Sequence, residues 1–291
     1  MDDQDEFPVE ATRRKWAADP RPNEELIARS LALWSRPIEE DDEDEDDGTH
    51  ELWVIAARGG AAELELLLPL SRSFVPAERE VAAFALARLG FASPAFEQEV
   101  GERLVEMLDD ATPAVARGAI YGFSIRKWPA AIPRLLAFAA STDAEDREAL
   151  AHALGNQDGA AAVDTLLQLM RDPTTSVRDW ATFAFTSGHA ELDSPEVRDA
   201  LLARTDDDDA EVRGEALIAL AQREDPRVTE KLARELGRPL EGDWVFEAAD
   251  LMGDVSLLPL LEKARTRDGA QFGKGQQAEM DEVIARLRET E

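Results

Sequence analysis

The sequence predicts an all-α fold, a right-handed α-α superhelix of about six to seven stacked helix pairs. Three observations carry that expectation. One short unit recurs along the chain with a register of 31 to 37 residues. Each copy opens on a helix whose buried positions are small and continues into a leucine-rich helix. Composition agrees: 44% of residues are hydrophobic but only 6% are aromatic, which suits closely packed helices better than a β-sandwich. At 291 residues the chain exceeds the size at which one globular core stops growing. A solenoid escapes that limit because each unit packs only on its neighbours.

Taken in order, residues 1–22 carry mixed charge and three prolines and are expected to form a flexible arm. Asn23 is the expected N-cap of a helix over 23–36, with Leu26, Ile27, Ser30, Leu31 and Trp34 on one face and Pro37 as its stop. An acidic linker follows over 37–48, its like charges in 39–47 repelling one another. The repeats are expected over 49–267. Four segments define them: PAEREVAAFALARLG (76–90), DAEDREALAHALG (143–155), PTTSVRDWATFAF (173–185) and DAEVRGEALIALA (209–221). Each has an arginine near its start (Arg79, Arg147, Arg178, Arg213), then mostly small residues three and six positions on, then a large apolar one. Segments 111–123 and 243–254 fit with Ala116 and Val245 in the arginine slot. Residues 268–291 are expected to be a mobile loop (268–277) and a capping helix (278–289).

These phrases resemble HEAT-like repeats of the short bacterial kind, grouped with the phycobilisome-lyase HEAT-like repeats and built as a HEAT-like or armadillo-type solenoid. PTTSVRDWATFAF and DDDDAEVRGEALIALAQREDPRV are similar to that family's D-x-x-x-x-V-R-x-x-A-x-x-A-L pattern followed by D-P. The resemblance spans about 49–267. It implies that Arg79, Arg147, Arg178 and Arg213 form a structural ladder with aspartates between neighbouring units, with Asp172 and Asp207 in the aspartate slots and Ser73 and Ser141 as weaker substitutes. It leaves function open, since such families range from scaffolds and immunity-type binders to hydroxylases and phycobilin lyases.

Acids outnumber bases 62 to 32, giving a formal charge of −30. That field repels nucleic acid and anionic membranes and attracts basic proteins. It also serves solubility alone, and the sequence does not choose between the two. With no cysteine, thiolate zinc, iron–sulfur and cysteine-nucleophile chemistry are excluded. The N-terminus has no signal-peptide core and no apolar run is long enough to span a bilayer, so a cytoplasmic location is expected. The hydroxylase type of HEAT-like enzyme needs several His-Glu pairs, and only His50–Glu51 is present. His152 and His189 read as a helix-face and a turn histidine. No catalytic triad, phosphate loop or metal-ligand set stands out, so no cofactor is expected and the chain reads as non-catalytic.

The binding expectation places a protein partner on the second helices, taken to line the concave face. Its outward candidates are Arg134, Asp164, Gln168, Arg198, Asp199 and Glu230. Trp180, Phe183 and Phe185 are read as core. An enzyme or enzyme subunit of the hydroxylase or lyase type is the alternative. A further one makes 39–47 itself a ligand for a basic groove.

Overall fold

The computed structural model describes residues 8–34, 48–91 and 93–289, and every regular element in them is helical. The helices are α1 (Pro8–Ala17), α2 (Asn23–Trp34), α3 (Thr49–Arg58), α4 (Ala61–Leu70), α5 (Pro76–Arg88), α6 (Glu97–Met107), α7 (Pro113–Gly122), α8 (Ile132–Leu135), α9 (Ala144–Leu154), α10 (Ala160–Leu169), α11 (Thr175–Phe183), α12 (Pro195–Arg204), α13 (Ala210–Gln222), α14 (Val228–Leu236), α15 (Trp244–Met252), α16 (Leu258–Asp268) and α17 (Lys274–Glu289). The odd-numbered helices α3 to α15 are the first helices of seven pairs. The even-numbered α4 to α16 are the second. Two compact units divide the chain: residues 1–141 with 156–158, and residues 142–155 with 159–291.

Helix starts follow local chemistry. Proline occupies the first turn of α5, α7 and α12, where its missing N–H costs nothing. Asp143, Ser194 and Asp209 accept first-turn N–H groups of α9, α12 and α13. Asn23 does not cap α2. Its amide donates to Glu63 at 2.8 Å and its carbonyl accepts from Arg58, while Pro22 supplies the carbonyl that opens the helix.

Within each unit the first helices form the closely packed layer. In the first unit α3 packs on α5 and α5 on α7. In the second α9 packs on α11, α11 on α13 and α13 on α15. The second helices mainly touch their own and the adjoining first helices, and scarcely one another. Small residues permit the close approach. A Cβ on Gly118 of α7 would sit 3.3 Å from the Ala83 Cβ of α5, and one on Gly122 would sit 3.2 Å from Ala87. The first helices are thus the more closely spaced layer of each unit and the second helices the wider one: alanine and glycine, rather than position in the pair, decide which layer closes up.

Gly214 shows the same economy. A Cβ there would lie 2.7 Å from the Trp244 ring, which packs flat against α13. Gly214→Ala gains helix propensity worth about 1 kcal/mol, yet must displace a buried indole. The clash is expected to win, for a net loss of about 1–3 kcal/mol. Urea unfolding of the variant checks this, and a gain in stability would refute it.

Both ends differ from expectation. Residues 8–17 are helical rather than a loose arm, because Trp16 packs on Trp53 and Phe91 at centroid distances of 5.7 and 5.4 Å. Buried Glu51 pairs with Arg21 and Arg29, both at 2.9 Å, fastening the N-terminal segments to α3. The expected loop over 268–277 is a short 3-10 turn, and α17 already starts at Lys274. The acidic linker lies outside the described residues, apart from Gly48.

Candidate functional site: the first-helix face of the second unit

Two polar ladders hold the repeats in register and leave one face free. The first is the arginine ladder. Arg79 donates two hydrogen bonds to Asp110 (2.7 and 2.8 Å), Arg147 two to Asp172 (2.7 and 2.9 Å), and Arg178 two to Asp207 (2.9 and 2.8 Å). Each aspartate belongs to the following repeat. The carbonyls of Asp172 and Asp207 accept in turn from Arg178 and Arg213, both at 3.1 Å, so one residue ties two repeats. Arg213 turns instead to Glu235 at 3.5 Å and to Glu241. Burial pushes Asp172 and Asp207 up, but the guanidinium hydrogen bonds hold both below the usual carboxylate range.

The second ladder closes the C-termini of the first helices, whose last carbonyls lack intrahelical partners. Arg126 donates to the carbonyls of Leu86, Ala87, Leu89 and Ala95. Gln157 donates to those of Phe123 and Arg126. His189 Nε2 meets Leu154 O at 3.0 Å. Arg223 reaches Phe185, His189, Leu192 and Ala219. Four side chains of three chemistries thus do one job in four successive repeats.

Three of the six candidates on the second helices are engaged in surface pairing. Arg134 pairs with Asp109 at 2.8 Å and Asp199 with Arg227 at 2.8 Å. Arg198 is held by Asp193, Asp225 and the Arg223 carbonyl. Asp164, Gln168 and Glu230 are exposed on α10 and α14. These six lie on the more widely spaced layer and are not gathered into one site.

The first-helix layer of the second unit differs. Its outward positions carry Glu148 on α9, Asp179 on α11, Glu211 and Glu215 on α13, and Glu247 and Asp250 on α15. Burial, then the charges of Asp209, Glu211 and Glu148, push Asp179 up to about 6. Burial pushes Glu215 up to about 6 against a hydrogen bond from Thr186, and Asp179, Glu247 and Glu211 add to the rise. Glu247 is raised by burial and by Asp243 and Glu279. Among the described residues none of Asp179, Glu215 and Glu247 has an ion pair.

Apolar groups interleave with these acids. A cavity of about 400 Å³ lies between α13, α15 and α17, with Ile218, Trp244 and Val283 among Glu215, Glu247 and Asp250. Phe183, expected in the core with Trp180 and Phe185, is 39% exposed on this face, whereas Phe185 is fully buried and Trp180 is half-buried. No group of three or more metal-ligating side chains occurs among the described residues. No described helix is long and apolar enough to cross a membrane.

Comparison with known proteins agrees with this architecture. A family description of HEAT repeats matches residues 101–186 and 163–249. The chain is 32% identical over 218 residues to protein YibA of Escherichia coli (strain K12), covering 72% of this chain and 76% of that one. The crystal structure of E. coli YibA superposes with a TM-score of 0.63 at 25% sequence identity, over 99% of both chains. Kap95p, from a structure describing its binding to RanGDP, superposes with a TM-score of 0.59 at 12% identity, over 95% of this chain and 43% of that one. At that identity the likeness is one of fold. With repeated units, inter-unit ladders and this match in hand, the chain belongs to the HEAT repeat family.

Proposed function

We propose that this protein is a non-catalytic binding module that captures a basic polypeptide on the first-helix face of its second unit. A HEAT-repeat solenoid suggests a binding or scaffold role, and the chemistry of this face narrows it. One observation carries the reading: Asp179, Glu215 and Glu247 share a partly buried face and none of the three is ion-paired among the described residues, the protein's own Arg286 beside the cavity being taken by Asp250 at 2.8 Å. Crowded carboxylates of this kind are destabilised when charged. A lysine- or arginine-rich segment relieves that repulsion, and the interleaved apolar groups accept its aliphatic stems.

The test uses the full chain and fluorescent oligo-arginine and oligo-lysine peptides, read by anisotropy. Binding is expected at neutral pH, falling with added salt because the Debye length is only about 8 Å at physiological ionic strength. The pH sign follows from the raised carboxylates. Above about 6 both Asp179 and Glu215 are charged and attract the peptide; as pH falls through about 6 they take up protons and affinity drops. Peptides that fail to bind, or binding unchanged in the double variant Glu215→Gln/Glu247→Gln, would overturn the reading.

A further inference from the structure

The repeats themselves show what this face accepts. In α5, α9 and α11 the residues one and five positions after the ladder arginine are not fully buried. In α5 these are Glu80 and Phe84, and other parts of the chain engage both. The Trp34 indole N–H donates to Glu80 at 3.1 Å, and its ring meets Phe84 edge-on at 5.8 Å. The Arg88 guanidinium lies 3.7 Å from the centroid of the same Phe84 ring. An acid–phenylalanine pair in this register therefore holds a flat cation against the ring and an N–H donor on the carboxylate.

In α11 the equivalent positions are Asp179 and Phe183. The acid and the ring recur, but the occupant does not. Asp179 Oδ1 is buried and accepts no hydrogen bond. Phe183 is exposed, with Trp180 edge-on to it at 5.6 Å. The acids around Asp179 deepen the same deficit. Glu148 faces it from α9, tied by Ser176 Oγ at 2.5 Å, and Asp209, Glu211 and Glu215 face it from the start and body of α13. His152 stands edge-on to Trp180 at 4.2 Å.

We propose that Asp179 and Phe183 form an arginine subsite, in which a partner's guanidinium stacks on the Phe183 ring and donates to the orphaned Asp179 oxygen. The proposal rests on the reading that this face takes a basic polypeptide and names the side chain it selects. Arginine is favoured over lysine because a planar fork can stack and donate at once, whereas an ammonium is a compact, strongly hydrated point charge. The charged acceptor shortens and strengthens the hydrogen bond.

The experiment compares the wild-type chain with Asp179→Asn, Phe183→Ala and Glu99→Gln, an exposed acid on α6, using oligo-arginine and oligo-lysine peptides. Asp179→Asn and Phe183→Ala are each expected to weaken oligo-arginine binding on the order of tenfold. Phe183→Ala should weaken oligo-lysine binding less, and Glu99→Gln should leave both unchanged. Circular dichroism melts confirm folding, and Phe183 is exposed enough for that variant to stay folded. Carboxyl NMR gives an independent reading, since bound oligo-arginine should lower the titration midpoint of Asp179. Intact oligo-arginine binding in both variants, with that midpoint unmoved, overturns the subsite and spares the function. Absence of peptide binding to the wild-type chain overturns both.

Discussion

Asp207→Ala is expected to destabilise the second unit by about 3–5 kcal/mol, the range for removing one partner of a buried ion pair. Its side chain is 2% exposed. It accepts from Arg178 at 2.9 and 2.8 Å, from Arg204 at 2.8 Å and from the Asp209 amide at 3.2 Å. Truncation strands a guanidinium between α11 and α13, with the exposed Asp208 at 3.0 Å as its one remaining carboxylate beside the Asp172 and Pro173 carbonyls. Because a repeat array is stabilised by nearest-neighbour interfaces, amides of α11 should lose hydrogen-exchange protection more than those of α17. Acid should mimic the substitution. Asp207 is depressed in the folded chain, so its contribution is complete above the unfolded value of about 3.9. It is lost as pH falls through the lower folded value. Urea unfolding of the variant with a loss below about 1 kcal/mol, the scale of a surface pair, would refute a structural role for the ladder.

That ladder was legible because its chemistry repeats: arginine in one slot and aspartate in the next give a spacing the eye can align. The second ladder was hidden for the opposite reason. Arg126, Gln157, His189 and Arg223 occupy equivalent turns, but a guanidinium, an amide and an imidazole share only the ability to donate to a carbonyl. Helix pairs could be read from periodicity, whereas which member of the pair forms the closely packed layer could not, since both are amphipathic. The signal was present in Gly118 and Gly122 facing Ala83 and Ala87, and it is a signal about distance between helices rather than about either helix alone. Phe183 was assigned to the core by residue type. Its register, five positions after Arg178 and equivalent to Phe84, places it on the outward face instead. At the N-terminus, the short segment 8–17 has little reason to be helical in isolation. Contacts of Trp16 with rings far along the chain supply what local sequence does not.

Arg126→Met is expected to cost the first unit about 3 kcal/mol, and the argument turns on what the arginine leaves behind. Arg126 is 4% exposed, and burial brings it down to about 10, so it remains charged at neutral pH. Replacing it with methionine fills similar space and removes the penalty of burying a charge. If desolvation dominated, the variant would be more stable, as when buried ion pairs are exchanged for apolar groups. Here, however, the partners are not exchanged. The carbonyls of Leu86, Ala87 and Leu89 lie at the end of α5 under the turn that carries Arg126, and Ala95 adds a fourth. A buried acceptor left without a donor costs about 1–3 kcal/mol. Leu86 O keeps the Leu89 amide at 3.2 Å and Leu89 O the Ala95 amide at 2.9 Å, so the loss falls mainly on the Ala87 and Ala95 carbonyls, and two acceptors losing their donor together outweigh the charge that is removed. Gly90 N–H already serves Ala56 at 2.9 Å, closing α3 in the same way, and is not free to compensate. Arg126→Lys discriminates the two accounts: it keeps the charge but loses the fork that reaches several carbonyls at once. Its stability should fall nearly as far as that of Arg126→Met. A lysine variant as stable as the wild type, or a methionine variant more stable, would show that charge burial rather than carbonyl capping governs this turn.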